Sequence, residues 1–197
     1  MDNLVWYASY GSNLLYSRFM CYIKGGTPEG STKLCPGCSD KTPPQDRRQK
    51  TIQHELYFAK NSPSWKGKGV AFIKSHKDDN TKTRGRMYLI TKEQFTQVVR
   101  QENGRTPNYS RITIDYKETI AQEQSMINGG WYSRVIYLGK EDGYPIFTFT
   151  GYWDDGAIDT NIPCEAYRRM IARGLKETYP EMSDEKIMDY LRKAGGM

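Results

Sequence analysis

The chain reads as an α+β protein built on a mixed, mostly antiparallel sheet, and three observations carry that reading. About seven or eight short segments have strand character, the longer helices stand singly between and after them, and Asp142-Gly143 is a hairpin turn signal between two of the alternating segments. The 197 residues suffice for one substantial core, and no Gly/Ser-rich or Pro-rich linker divides them. A single domain over 1–197 is therefore expected.

The opening stretch, residues 4–14, organises the rest. Val5, Trp6 and Tyr7 favour a strand, Gly11 allows a sharp turn, and Asn13 is a natural N-cap. Leu15, Phe19, Tyr22 and Ile23 then share one face of a helix that ends near Gly25-Gly26. Strand, tight loop and helix start together leave backbone N–H groups in one concavity, which suits a carboxylate or a developing oxyanion. An ordinary strand-to-helix turn has the same spacing. No G-x-G-x-x-G or G-x-x-x-x-G-K-[ST] occurs, so neither phosphate-binding loop is supported.

Residues 27–49 carry Pro28, Gly30, Pro36, Gly37, Pro43 and Pro44 with few apolar residues, and read as a long surface loop. Within it, Cys35-Pro36-Gly37-Cys38 is a C-x-x-C. A zinc site would need a second paired motif, which Cys21, Cys164, His54 and His76 do not form, and a redox pair should open a helix. Two loop thiols are the favoured reading.

Strands are expected at 51–60, 70–73 and 85–90. The period then changes: Thr91 and Gln94 form a capping box, and Phe95, Val98 and Val99 make a helical stripe ending before Asn103-Gly104. Residues 109–116, 129–139 and 144–150 read as further strands, while 119–128 fits no single pattern. Pro163, at a first helical position, opens a helix to about 178, and Ser183 caps a second that stops at Gly195-Gly196.

Glu102 is the most informative single residue, because positions 95, 98, 99 and 102 follow i, i+3, i+4 and i+7. A carboxylate points where a core residue would, in the turn whose helix dipole opposes negative charge, and such a group suits proton transfer. If the helix frays after Gln101, the side chain instead lies in solvent.

Composition narrows the function classes. The mean hydropathy of −0.78 and the absence of a long apolar run argue against a membrane span, and no signal-peptide pattern opens the chain, so a cytoplasmic protein is expected. Four cysteines are too few and scattered for a disulfide scaffold. The net charge is +6, but the basic residues are spread over 47–50, 66–86 and 168–176 with acids among them, which reads as a solvated surface rather than a nucleic-acid groove.

Tyr10-Gly11-Ser12-Asn13-Leu14 after a strand resembles the signature of the gamma-glutamylcyclotransferase-like family. Residues 56–73, with Trp65 before Gly69-Val70-Ala71-Phe72-Ile73, resemble that family's strand, loop and strand. Residues 85–102 resemble its next segment, in which a glutamate ends the helix. Pro163-Cys164-Glu165-Ala166-Tyr167 is similar to the family's Pro-Ser-x-x-Tyr. The resemblance spans most of the chain apart from the insertion at about 27–49. It departs at Asn103, where Gly is common, and at Cys164, where Ser is usual.

The resemblance implies a small mixed barrel flanked by helices, without metal or cofactor, that converts a γ-glutamyl amide to 5-oxoproline and a free amine or amino acid. It implies Glu102 as general acid/base and Tyr10, Gly11, Ser12, Asn13, Leu14 and Tyr167 as substrate-binding. The partner is then a small γ-glutamyl molecule, with no nucleic acid or membrane, on a monomer or homodimer. Two other readings are a non-catalytic binding module using the basic surface or the long loop, and a deprotecting cyclotransferase with that loop as a lid.

Overall fold

Apolar on both faces, β1 (Leu4–Ser9) occupies the middle of a six-stranded sheet. The order is β2 (Asp46–Ile52), β5 (Thr83–Thr91), β1, β8 (Tyr144–Thr150), β7 (Arg134–Glu141) and β6 (Gln124–Met126). Among the described residues only the β1–β8 pair is parallel, with Trp6 opposite Ile146. β3 (Leu56–Ser62) and β4 (Lys68–Ile73) form a separate antiparallel hairpin. This computed structural model describes residues 3–29 and 34–195.

The alternation of β1 divides the interior into two cores. Val5 and Tyr7 join Phe19, Tyr22 and Ile23 of α1 (Tyr16–Lys24) and Phe95, Val98 and Val99 of α2 (Lys92–Glu102). Trp6 and Ala8 join Phe58 and Phe72 of the hairpin, Ile171 and Leu175 of α4 (Glu165–Thr178), and Ile187 and Leu191 of α5 (Asp184–Lys193). A short α3 (Tyr116–Ala121) precedes β6. The sheet curls until its ends approach: Arg48 of β2 pairs with Glu141 at 3.5 Å and Asp142 at 2.7 Å beside the β7–β8 turn. The hairpin is anchored by Thr150, whose hydroxyl accepts from the Ile73 amide (3.0 Å) and donates to the Ile73 carbonyl (2.6 Å).

Several sequence signals act as expected. Thr91 and Gln94 form a reciprocal capping box, Ser183 caps α5, and Asp142-Gly143 takes positive φ at both residues to turn β7 into β8.

Other expectations are corrected. Residues 109–116 are not a strand: Asp115 accepts the amides of Lys117 and Glu118 and starts α3, while buried Arg100 donates to the carbonyls of Pro107 and Ile112. The expected strand at 51–60 is two strands separated by a turn, and its first part begins at Asp46, inside the expected loop. β7 starts at Arg134 rather than 129, and α4 starts at Glu165 with Cys164, not Pro163, preceding it.

The C-x-x-C is not on the surface. Cys35 and Cys38 are buried in the second core because α2 presents a polar stripe that takes the place of water for the loop backbone. Gln97 accepts the Ser39 amide (2.7 Å), Gln101 accepts the Gly37 amide (3.3 Å), and Gln94 donates to the carbonyls of Asp40 and Thr42. Residues 30–33 of the loop and Gly196 of the terminal stop lie outside the described residues.

Candidate active site

Past Ser9 the chain leaves the sheet and makes a single 3-10 turn, Ser12–Leu14, before α1 begins at Tyr16. Asn13 is not the helix cap. Its side-chain amide, 4% exposed, donates to the Tyr7 hydroxyl at 3.1 Å and to Glu102 Oε1 at 3.0 Å. The turn spends the Leu14 amide on the Gly11 carbonyl, which leaves the amides of Ser12 and Asn13 at its open end without an intrahelical acceptor. Gly11 sits where space is short, and its backbone is not left-handed. Its φ is −112°, and a Cβ there would meet the Ala71 Cβ at 3.0 Å and the Tyr167 hydroxyl at 3.2 Å.

The carboxylate arrives from the far end of α2. Glu102 is the last residue of that helix, half-buried, and Asn103 ends the helix with its amide on the Val99 carbonyl at 3.1 Å. The Asn103 side chain then holds the next wall in place. Its amide group donates to the Val99 carbonyl (3.0 Å) and the Tyr132 carbonyl (2.8 Å), and its oxygen accepts the amides of Gly130 (2.9 Å) and Tyr132 (3.0 Å). A glycine could make none of these bonds, so the departure at this position fastens the segment that carries Trp131 and Tyr132.

The opposite wall belongs to β4, its preceding loop and α4. The Tyr167 hydroxyl accepts the Ala71 amide at 3.2 Å, the Tyr132 hydroxyl donates to the Ala71 carbonyl at 3.1 Å, and the Trp65 and Tyr167 rings lie 4.9 Å apart. Together these segments enclose a cavity of about 100 Å³ into which Tyr7, Gly11, Asn13, Arg18, Glu102 and Tyr167 face.

The hydroxyls around it stay protonated. Burial, and then the charge on Glu102, pushes the pKa of Tyr7 well above the ordinary tyrosine value. Burial likewise raises Tyr22 and Tyr132, and it lifts Tyr167 to about 12 against the opposing hydrogen bond from Ala71. These groups serve as neutral donors or acceptors at physiological pH. Arg18 is opposite in character. Burial disfavours its charge, but Tyr22, Glu102 and Cys35 together hold its pKa above the ordinary arginine value.

Of the residues singled out in the sequence, Tyr10, Gly11, Ser12, Asn13, Glu102 and Tyr167 meet at this cavity. Tyr10 contributes its ring, since its hydroxyl donates to the Phe149 carbonyl at 2.7 Å. Leu14 lies behind the wall, fully buried, with its carbonyl accepting from Arg86 at 3.0 Å. Sequence reasoning missed Tyr7, Arg18, Tyr22, Trp131 and Tyr132. A signal existed for Arg18 alone: a charged residue directly before Phe19 on the apolar side of α1.

Among solved structures, a gamma-glutamyl cyclotransferase superposes with a TM-score of 0.52 at 16% identity, over 94% of this chain and 86% of that one. An uncharacterized protein from Homo sapiens superposes with a TM-score of 0.54 at 15% identity, over 95% and 88%. The chain has a gamma-glutamyl cyclotransferase-like fold. No family model matches the sequence. Histone deacetylase 5 of Arabidopsis thaliana is 36% identical over 202 residues, which cover 96% of this chain and 30% of the relative. The chain thus spans less than a third of that relative's length. On the gamma-glutamyl cyclotransferase-like fold the cavity is framed by β1, α1, α2, β4 and α4. No helix among the described residues is long and apolar enough to cross a membrane.

Proposed function

We propose that the protein is a cyclotransferase that converts a γ-glutamyl amide to 5-oxoproline and a free amine or amino acid. The observation that carries this reading is the 3.0 Å hydrogen bond from Asn13 to Glu102, which sets a carboxylate beside the turn after β1. The substrate's α-amino nitrogen attacks its own γ-carbonyl carbon, closing a five-membered ring. Holding that closure in reactive geometry supplies on the order of 7 kcal/mol or more of the barrier. Glu102 takes a proton from the attacking nitrogen and returns it to the departing nitrogen as the old amide bond breaks, so no proton is gained or lost overall. The open amides of Ser12 and Asn13 face the substrate carboxylate or the oxyanion formed at the γ-carbonyl. Tyr167, Trp65 and Tyr132 bound the space left for the amine side.

A panel of γ-glutamyl amino acids and amines, with 5-oxoproline followed by mass spectrometry, tests this directly. Release from at least one substrate, lost in Glu102→Gln, supports the proposal. Release that is undiminished in Glu102→Gln removes the carboxylate from the mechanism, and no release from any member refutes the activity.

A further inference from the structure

Two residues on the wall of the smaller cavity each keep one buried polar atom without a hydrogen-bond partner, and the two atoms are of opposite kind. Asn13 spends its side-chain N–H groups on the Tyr7 hydroxyl at 3.1 Å and on Glu102 Oε1 at 3.0 Å, while its Oδ1 accepts from nothing. Arg18, 6% exposed, has five N–H bonds to place. One terminal nitrogen donates to the Tyr22 hydroxyl at 2.8 Å, the other reaches the Cys35 sulfur at 3.6 Å, and Nε has no acceptor. Among the described residues no carboxylate lies within ion-pair distance of it.

A buried donor or acceptor left unmade costs more than the bond itself returns, so interiors seldom keep such groups without a use. The other two buried atoms of this sort, the hydroxyls of Ser9 and Thr148, do not line the cavity. Arg18 is the one cation on its wall and Glu102 the one acid. Each acts electrostatically on both Tyr7 and Tyr167, so the two charges face the same small space. The α-carbon of a γ-glutamyl head carries the matching pair, a carboxylate that only accepts and an amino group that donates.

We propose that Arg18 binds the free α-carboxylate of the substrate's γ-glutamyl head, with Asn13 Oδ1 accepting a hydrogen from the neighbouring α-amino group. This inference rests on the cyclotransferase reading and narrows its substrate class. A thiol sulfur is a weak acceptor, so the guanidinium gives up little in exchanging Cys35 for a carboxylate. The open amides of Ser12 and Asn13 are then left to the γ-carbonyl oxygen. Recognition requires the α-carboxylate to be free, and γ-glutamyl compounds in which it is esterified, amidated or missing are poor substrates.

The test deletes the carboxylate from the ligand and the guanidinium from the full-length protein. 5-Oxoproline and 2-pyrrolidinone are the same lactam with and without the carboxylate, and their binding is followed by NMR titration. Wild type should bind 5-oxoproline about 10- to 100-fold more tightly, the usual worth of a charge-assisted bond; Arg18→Gln should erase that preference and Arg18→Lys should keep part of it. In wild type alone, the Nε–H signal of Arg18, assigned by its absence in Arg18→Lys, should shift with 5-oxoproline and stay still with 2-pyrrolidinone, so the test survives a failure of Arg18→Gln to fold. In turnover, Arg18→Gln should lower kcat/KM for a γ-glutamyl amide about 10- to 100-fold and for the corresponding 4-aminobutyryl amide by no more than about twofold. Equal binding of the two lactams by wild type, binding of neither, an unmoved Nε–H signal, or a preference undiminished in Arg18→Gln overturns the role of Arg18. If no γ-glutamyl compound is turned over and yet the lactam preference depends on Arg18, the carboxylate site stands and the reaction falls.

Discussion

Two cavities in this molecule differ in a way that separates volume from chemistry. The larger, about 480 Å³, is lined by both ends of the curled sheet, with Lys50 and His54 on one side, His76 and Lys77 beside them, and Tyr137 opposite. The smaller, about 100 Å³, draws tyrosines, one acid, one amide and one cation from separate segments and satisfies most of them through one another. Convergence of paired polar groups, rather than empty space, distinguishes the candidate site.

The largest expected effect sharpens that contrast. Glu102→Gln should lower 5-oxoproline formation by roughly 10²- to 10⁴-fold, the usual worth of a general acid/base, whereas His54→Gln in the larger cavity should leave the rate within about twofold. Equal losses would erase the distinction. Next is Gly11→Ala, which drives a methyl against Ala71 and Tyr167 and should cost about 1–3 kcal/mol in a urea titration. Unaltered stability would mean that the turn and α4 are less closely packed than the 3.0 and 3.2 Å separations require.

A smaller change is expected from Asn103→Gly, which releases Trp131 and Tyr132 from α2 while leaving Glu102 in sequence. KM should rise by about three- to tenfold with kcat less affected, as expected for losing bonds worth about 1 kcal/mol each. A fall in kcat alone would place Asn103 in the chemical step instead.

The smallest effect belongs to the other cavity. His54 donates from Nδ1 to the Lys74 carbonyl, and burial holds its pKa below the ordinary 6.5. The unfolded chain therefore takes up the proton first, so the stability contributed by neutral His54 is present above pH 6.5 and is lost as pH falls through its lower folded value. Urea midpoints measured across that window should slope for wild type and flatten in His54→Gln. Parallel slopes would show that His54 is not the group responsible.

What the sequence showed, and what it hid, follows from how far each contact reaches. Local chemistry was readable: the Thr91–Gln94 box, the Ser183 cap and the Asp142-Gly143 turn depend on neighbours a few residues apart. The side of α2 that carries Glu102 was readable too, since helical periodicity alone assigns it. The buried C-x-x-C was not, because glutamines at 94, 97 and 101 look solvent-facing until a distant loop supplies their partners. Residues 109–116 misled for the same reason: Arg100 holds a non-strand backbone whose apolar residues still pack inward. The aromatic wall at Trp131 and Tyr132 depends on Asn103, 27 to 29 positions earlier.

The central place of β1 has a consequence for the order of assembly. Its neighbours on either side are residues 86–91 and 146–147, so the earliest strand cannot finish its hydrogen bonding until most of the chain exists. Ladders that close such long loops form slowly, and the turn after β1 is shaped only once they have closed. A half-folded copy therefore holds Asn13 and Glu102 on separate segments that have not yet met.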